Sequence, residues 1–403
     1  MSTFTPHIAS RLDKVSESVT LKIDALAKKL KAEGQDVVGF GAGEPDFDTP
    51  QSIKKAAENA IEKGKTKYTP VSGIPEIRAA VAKRLQDAYG VTYAPEQVVV
   101  SCGAKHSIFN AMMAIVEPGD EIIIPAPYWV SYPEQVLLLG GRPVFLPTSD
   151  KTRFKITPDQ LKAALTPKTK LIILNSPSNP SGMVYSKAEY EALAKVIDGS
   201  QAWVLSDEIY ADLVYDAKNP FVSFATLPSM KDRTILVNGV SKSYAMTGWR
   251  IGYLAAPLAL VKAVSCIQGH STSNPTSVSQ WASVEALMGD HTPVLEMRHA
   301  FDERRRWMVD GLSKIPGMTC LMPDGAFYAF PNVSTFFGKK TSARRVIASS
   351  VDFCDALLSE ALVACVPGGG FGADDYIRLS YATSMAQIQK GIERIRAWVA
   401  QIK

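Results

Sequence analysis

Short apolar runs bounded by glycine, proline, asparagine and serine recur between Thr49 and Pro257, and stretches of helical periodicity separate them. The runs are QVVVS (97–101), EIIIP (121–125), PVFLP (143–147), LIILN (171–175), WVLSD (203–207), TILVN (234–238) and RIGYLAA (250–256). Seven such strands alternating with helices predict a largely parallel sheet covered on both faces. Residues that close the strands are expected to gather along one edge. Thr49 and Pro50 suit the cap and first turn of a helix over 51–63, which Gly64 can end. Over 74–89, Ile77, Val81, Leu85 and Ala88 recur at helical spacing before Gly90. Near the carboxyl end, DGAFYAFP (324–331), ALVACVP (361–367) and YIRLSYA (376–382) read as strands, followed by a helix over about 385–401.

The expected architecture is therefore α/β: a large domain over 49–290 and a smaller one assembled from 1–48 and 291–403. A chain of 403 residues, 46% hydrophobic and 21% charged, is long enough for two units around sizeable cores. Lys plus Arg exceed Asp plus Glu by 44 to 40, a net +4 that does not suggest a nucleic-acid binder. The basic runs Lys28–Lys29 and Arg304–Arg306 stand beside Leu30 and Trp307 at helical spacing and read as solvated helix faces. Five cysteines without a CxxC fit a reducing compartment better than a disulfide framework or a zinc site, and no metal is expected. The opening MSTFTPHIASRLDK lacks the apolar stretch of a signal peptide, and no run approaches the roughly 18 residues of a membrane span. The expected location is cytoplasmic.

Two phosphate-loop lookalikes fail on context. Gly64-Lys65-Thr66 resembles the end of a P-loop, but Asn59 stands where its first glycine belongs. Gly368, Gly370 and Ala373 match a dinucleotide fingerprint, yet 374–381 reads as a strand where a helix is required. A better anion site is Ser101–Lys105, between a strand and a helix, where small residues let backbone N–H groups approach a phosphate. At the next strand end, Asn175–Gly182 reads as a turn that carries Asn179. Asp207 closes its own strand; there a carboxylate either caps a helix or pairs with a cation or strong donor. Lys242 follows a strand among small and aromatic residues, where desolvation lowers the amine pKa and yields a neutral nucleophile suited to a Schiff base. Arg250, eight residues on, offers a guanidinium fork to a phosphate. Arg378 alternates with Ile377, Leu379 and Tyr381, so it is expected on the face opposite the core, as a carboxylate clamp or a structural ion pair.

The segments GAGEPDFDTP, YTPVSGIPEIR, PYWVSYPE, NSPSNPSG, SDEIY, SKSYAMTGWRIGY and YIRLSYA, in order over nearly the whole chain, together resemble class I pyridoxal-phosphate aminotransferases of fold type I, and within them the aspartate aminotransferase subgroup Ib. The resemblance implies that Lys242 bonds covalently to pyridoxal 5′-phosphate and that Asp207 pairs with the pyridine nitrogen. Tyr210 and Asn179 would meet the ring oxygen, and Trp129 would stack on the ring, with Tyr132 in an aromatic cluster beside it. Gly103, Ala104, Lys105, Ser241 and Arg250 would cradle the phosphate, joined by Tyr68 from a neighbouring subunit, which implies a homodimer. Arg378, Asn179, Trp129 and the Gly43 backbone would hold the substrate α-carboxylate. Lys105 and Thr20 match residues that receive a distal carboxylate.

The implied reaction is ping-pong transfer of an amino group from L-aspartate to 2-oxoglutarate, with small amino and oxo acids as the partners. An aromatic or broader donor range is the alternative. Prephenate activity is argued against by Ser16, which stands where a KPS motif carries lysine. A lyase shares the cofactor residues, and a cofactor-sensing regulator would need a DNA-binding module for which there is no room before Val15.

Overall fold

The computed structural model describes residues 8–403 apart from Ser18 and Ala217. The side chains of Val19, Leu21 and Asp24 are outside the description, as are residues 1–7 of the opening stretch discussed above. All seven expected strands form one sheet: β1 (Val98–Ser101), β2 (Glu121–Ala126), β3 (Arg142–Pro147), β4 (Thr169–Asn175), β5 (Trp203–Asp207), β6 (Thr234–Gly239) and β7 (Gly252–Ala255). Their order is β1-β7-β6-β5-β4-β2-β3, and every pairing is parallel except those of β7 with β1 and β6.

Side-chain alternation explains why the strands are apolar throughout. Ile122, Ile124, Leu171, Ile173 and Leu205 pack on one face with Ile108 and Met112 of helix Ala104–Ile115. Ile123, Ile172, Leu174 and Val204 pack on the other with Leu193 and Ile197 of helix Lys187–Asp198. Both faces are dry, so both parities of each strand must be apolar. The register places Asn175 beside Asp207 at the carboxyl ends of β4 and β5. The next segment after β6 carries Lys242.

Beyond the sheet, Val38 and Gly39 pair in parallel with Val363 and Ala364, which joins the amino-terminal segment to the carboxyl-terminal part of the chain. Tyr328–Ala329, Val366–Pro367 and Ile377–Ser380 form a small antiparallel sheet. The expected strands over 324–331 and 361–367 are thus shorter, the second being split in two. Val38, Phe40, Phe353, Ile377, Leu379 and Trp398 share a core with Ile209, Tyr210 and Leu213, which follow β5. Among the described residues no helix is long and apolar enough to cross a membrane.

Three local expectations need correction. Thr49 does not cap helix Gln51–Glu62; Pro50 holds that position without a side-chain bond. The Thr49 hydroxyl instead donates to the Ala245 carbonyl at 2.7 Å and accepts from the Trp249 indole at 3.0 Å, so partners from the Lys242 loop outcompete the local cap. Arg305 is buried rather than solvated: it pairs with Asp302, donates to the Pro323 carbonyl and lies over the Tyr215 ring at 4.4 Å. In helix Pro75–Tyr89, Ala88 is exposed whereas Ile77, Val81 and Leu85 are buried, and Gly90 caps the helix in the left-handed region.

The start of helix Ala104–Ile115 lies against β7 so closely that a Cβ on Gly252 would fall 2.1 Å from the Ala104 nitrogen. Gly252→Ala is expected to cost about 3 kcal/mol, since backbone must move to admit the methyl group. A lower urea midpoint at unchanged slope would show it.

Candidate active site

Asp207 ends β5 with both carboxylate oxygens engaged. Oδ2 accepts from the Tyr132 hydroxyl at 2.6 Å and Oδ1 from the Ile209 N–H at 3.2 Å, a turn bond rather than a helix cap. Burial pushes this carboxyl up to about 6, against the opposing pull of these two bonds and of the Lys242 charge. Tyr132 is itself buried and meets Trp129 edge to face at 5.3 Å.

Asn175 connects two strand ends. Its amide donates to the Asp207 carbonyl at 3.0 Å, and its oxygen accepts from the Asn179 N–H at 2.8 Å. Asn179 Oδ1 in turn accepts from Arg378 Nη1 at 3.0 Å, while Arg378 Nη2 donates to the Gly41 carbonyl at 2.8 Å. The guanidinium lies 4.5 Å from the Tyr328 ring and 5.1 Å from that of Phe371. It is 1% exposed, and its Nε has no partner. Burial holds Arg378 below the ordinary arginine range. Among the described residues no carboxylate pairs with it, so the ion-pair reading finds no support and a buried cation is left facing the cavity. Its strand neighbours Ile377 and Leu379 are buried as well, so both faces of this strand are covered. Tyr210 and Tyr328 bond through their hydroxyls at 2.8 Å.

The Lys242 amine donates to the Gly43 carbonyl at 2.6 Å. Burial, aided by Arg250 and Arg378, lowers it to about 8, while Glu44 and Asp207 pull the other way. Gly103, at φ +92°, precedes helix Ala104–Ile115, and a Cβ there would meet Arg250 Nη2 at 2.5 Å. Arg250 donates to the Thr247 carbonyl at 2.8 Å and is left-handed at φ +57°. Lys105 sits at the rim with its amine 4.9 Å from the Trp129 ring; burial and repulsion from Arg250 lower its pKa.

These groups line one cavity of about 390 Å³. Of the sequence-derived candidates, Thr20, Gly43, Ala104, Lys105, Trp129, Asn179, Asp207, Tyr210, Ser241, Lys242, Arg250 and Arg378 face it. Gly103 stands just behind, against Arg250. Tyr68 is not brought in: its side chain is 92% exposed. Sequence reasoning missed Asn175 as a connector and overlooked Tyr328 and Glu44. Asn175 could have been found as the residue closing β4, whereas no local pattern marks Tyr328. The lining carries four cations, Lys105, Lys242, Arg250 and Arg378, against the carboxylates Asp207 and Glu44. Such a site suits ligands with several negative charges and offers a poised amine.

Residues 35–395 match the family described as aminotransferase class I and II. Aspartate aminotransferase of Geobacillus stearothermophilus is 48% identical, with 97% of this chain and 98% of that protein covered. The aspartate/prephenate aminotransferase of Cereibacter sphaeroides is 46% identical over 98% of each. The crystal structure of the Rhizobium meliloti aspartate aminotransferase superposes with a TM-score of 0.95 at 45% identity, covering all of both chains. Its fold, its cavity at the carboxyl ends of a mostly parallel sheet and its similarity along almost the entire sequence agree: the chain belongs to the class I and II aminotransferase family.

Proposed function

We propose that the protein transfers the amino group of L-aspartate to 2-oxoglutarate with pyridoxal 5′-phosphate as cofactor. The observation that carries this reading is a depressed lysine amine and a buried carboxylate facing one cavity, with an unneutralised arginine and a rim lysine set to receive two substrate carboxylates.

The donor set fits the cofactor. Lys242 offers the amine for its aldehyde, Asp207 a carboxylate for its ring nitrogen, and Trp129 an aromatic face. Ser241, Arg250 and the helix start at Gly103–Ala104 form an anion cradle. Bound there, pyridoxal phosphate would supply a carbonyl that takes up amines and a protonated ring that draws electrons from the substrate Cα–H bond. Asp207 would favour a protonated ring nitrogen, and its bonds to Tyr132 and Ile209 hold the carboxylate in place. The Lys242 amine, its pKa lowered to about 8, would be placed to hold the proton of the substrate Cα as a base and to give it up again as an acid. Arg378 and Asn179 orient the α-carboxylate through the free edge of the guanidinium. Lys105, with Thr20, receives the distal carboxylate and so favours dicarboxylate donors over apolar ones.

We take residues 49–290 as the cofactor domain, with 1–48 and 291–403 as the smaller one, and the active unit as a homodimer. Tyr68, a large side chain left almost wholly in water, supports this, because a partner's cavity would give it a role. A prephenate-accepting variant finds support in the Cereibacter relative's name. Against it, Ser16 occupies the position of the motif lysine, and its N–H donates to Glu134.

In the apoenzyme, capture of pyridoxal phosphate should rise with pH up to about 8 and then level, because a pKa lowered from 10.5 to about 8 leaves the amine neutral above that point. Lys242→Ala should give no borohydride-stable adduct and no turnover; an adduct elsewhere would move the anchor. Lys105→Ser should lower kcat/KM for aspartate by about tenfold and for phenylalanine far less, as loss of a charge pair predicts. Equal losses would assign Lys105 to the phosphate instead. Sedimentation of the holoenzyme should give a two-chain species, and Tyr68→Phe should weaken cofactor retention without dissociating it.

A further inference from the structure

The cavity contains one charged group for which the reaction above has no use. Glu44 lies on the loop Gly41–Thr49, directly after the carbonyl that holds the Lys242 amine. Its carboxylate stands at the exposed rim, where Oε2 accepts from the Thr247 hydroxyl at 2.7 Å. Pro45 biases the Glu44 backbone toward the extended region, and Thr247, five residues after Lys242, ties its carboxylate to the Lys242 loop. In a site built to gather anions, a carboxylate at the entrance works against the phosphate and against both substrate carboxylates.

An amino donor differs from its oxo acid at one place, the α-amino group, which arrives as an ammonium ion. Its two carboxylates have Arg378 and Lys105; its ammonium needs an anion. Asp207 cannot serve, because in the reading above it is committed to the ring nitrogen and held there by Tyr132 and Ile209. The substrate amine must come to the place the Lys242 amine occupies, against the Gly43 carbonyl, and Glu44 is the next residue of that loop and lines the same cavity. We propose that Glu44 receives the ammonium of the incoming amino donor, so that the rim distinguishes amino acids from the oxo acids that share their carboxylates. The inference rests on the transaminase reading and assigns one substrate group within it.

The test is binding to the borohydride-reduced holoenzyme, in which the lysine–cofactor bond cannot exchange and only the encounter contacts are read. In Glu44→Gln, aspartate should bind about fivefold more weakly, the scale of an exposed charge contact. Succinate, which has the two carboxylates and no amine, should bind as well as to the wild type or better. In the unreduced enzyme the KM for aspartate should rise while that for 2-oxoglutarate does not. Equal weakening of aspartate and succinate, or no change in either, would overturn the assignment. A wild-type enzyme that binds both but transfers no amino group from any donor would overturn the transaminase reading itself.

Discussion

Keeping water from one lysine amine is the constraint on which the site depends. An ordinary lysine is an ammonium ion and a poor nucleophile; Lys242 becomes usable at about pH 8 because it is buried and has two arginines for neighbours. That environment requires a dry sheet edge, a loop carbonyl at Gly43 to hold the amine, and cations near enough to repel a second positive charge. Asp207 is the complementary case. Burial raises its carboxyl, so a cationic partner there is strongly favoured, and the pyridine nitrogen of the proposed cofactor has that character.

The polar residues around these two groups act as connected supports. Asn175 joins the ends of β4 and β5, Asn179 passes that alignment to Arg378, and Arg378 extends it to the loop at Gly41. Tyr328 stacks on the arginine and bonds Tyr210. Groups from the large sheet, the small sheet and the amino-terminal loop are thereby held in one frame, and displacement of one member leaves buried donors or acceptors unsatisfied. The loop at 41–49 is central to it, being tied to Lys242 at Gly43, to Thr247 at Glu44, to Arg304 at Asp46 and to Ala245 at Thr49.

Much of the sheet was legible because its strands are apolar on both faces and separated by strong turn residues. The residues at the strand ends were legible for the same reason: Asp207 and Lys242 are polar where an apolar run stops. The strands of the smaller sheet were legible only as longer runs, and the pairing of Val38–Gly39 with Val363–Ala364 was not, since two-residue pairings carry no periodicity. Thr49 was misread because its local sequence fits a cap, and a distant carbonyl and indole offered better partners. Arg305 was misread because a run of three arginines does not say which of them point inward; Arg304 is largely covered as well, and Arg306 is the exposed one.

The chain alone thus determined the order of strands and helices, and which chemical groups stand where each strand ends. Both follow from local rules, the apolar alternation and the turn residues. Tertiary structure decided which groups meet: Lys242 and Gly43 are 199 residues apart, Arg378 and Gly41 337, Tyr132 and Asp207 75. It also decided how strongly each group is desolvated. Reactivity here comes from burial and from charges brought close by folding, and neither quantity exists until the segments pack.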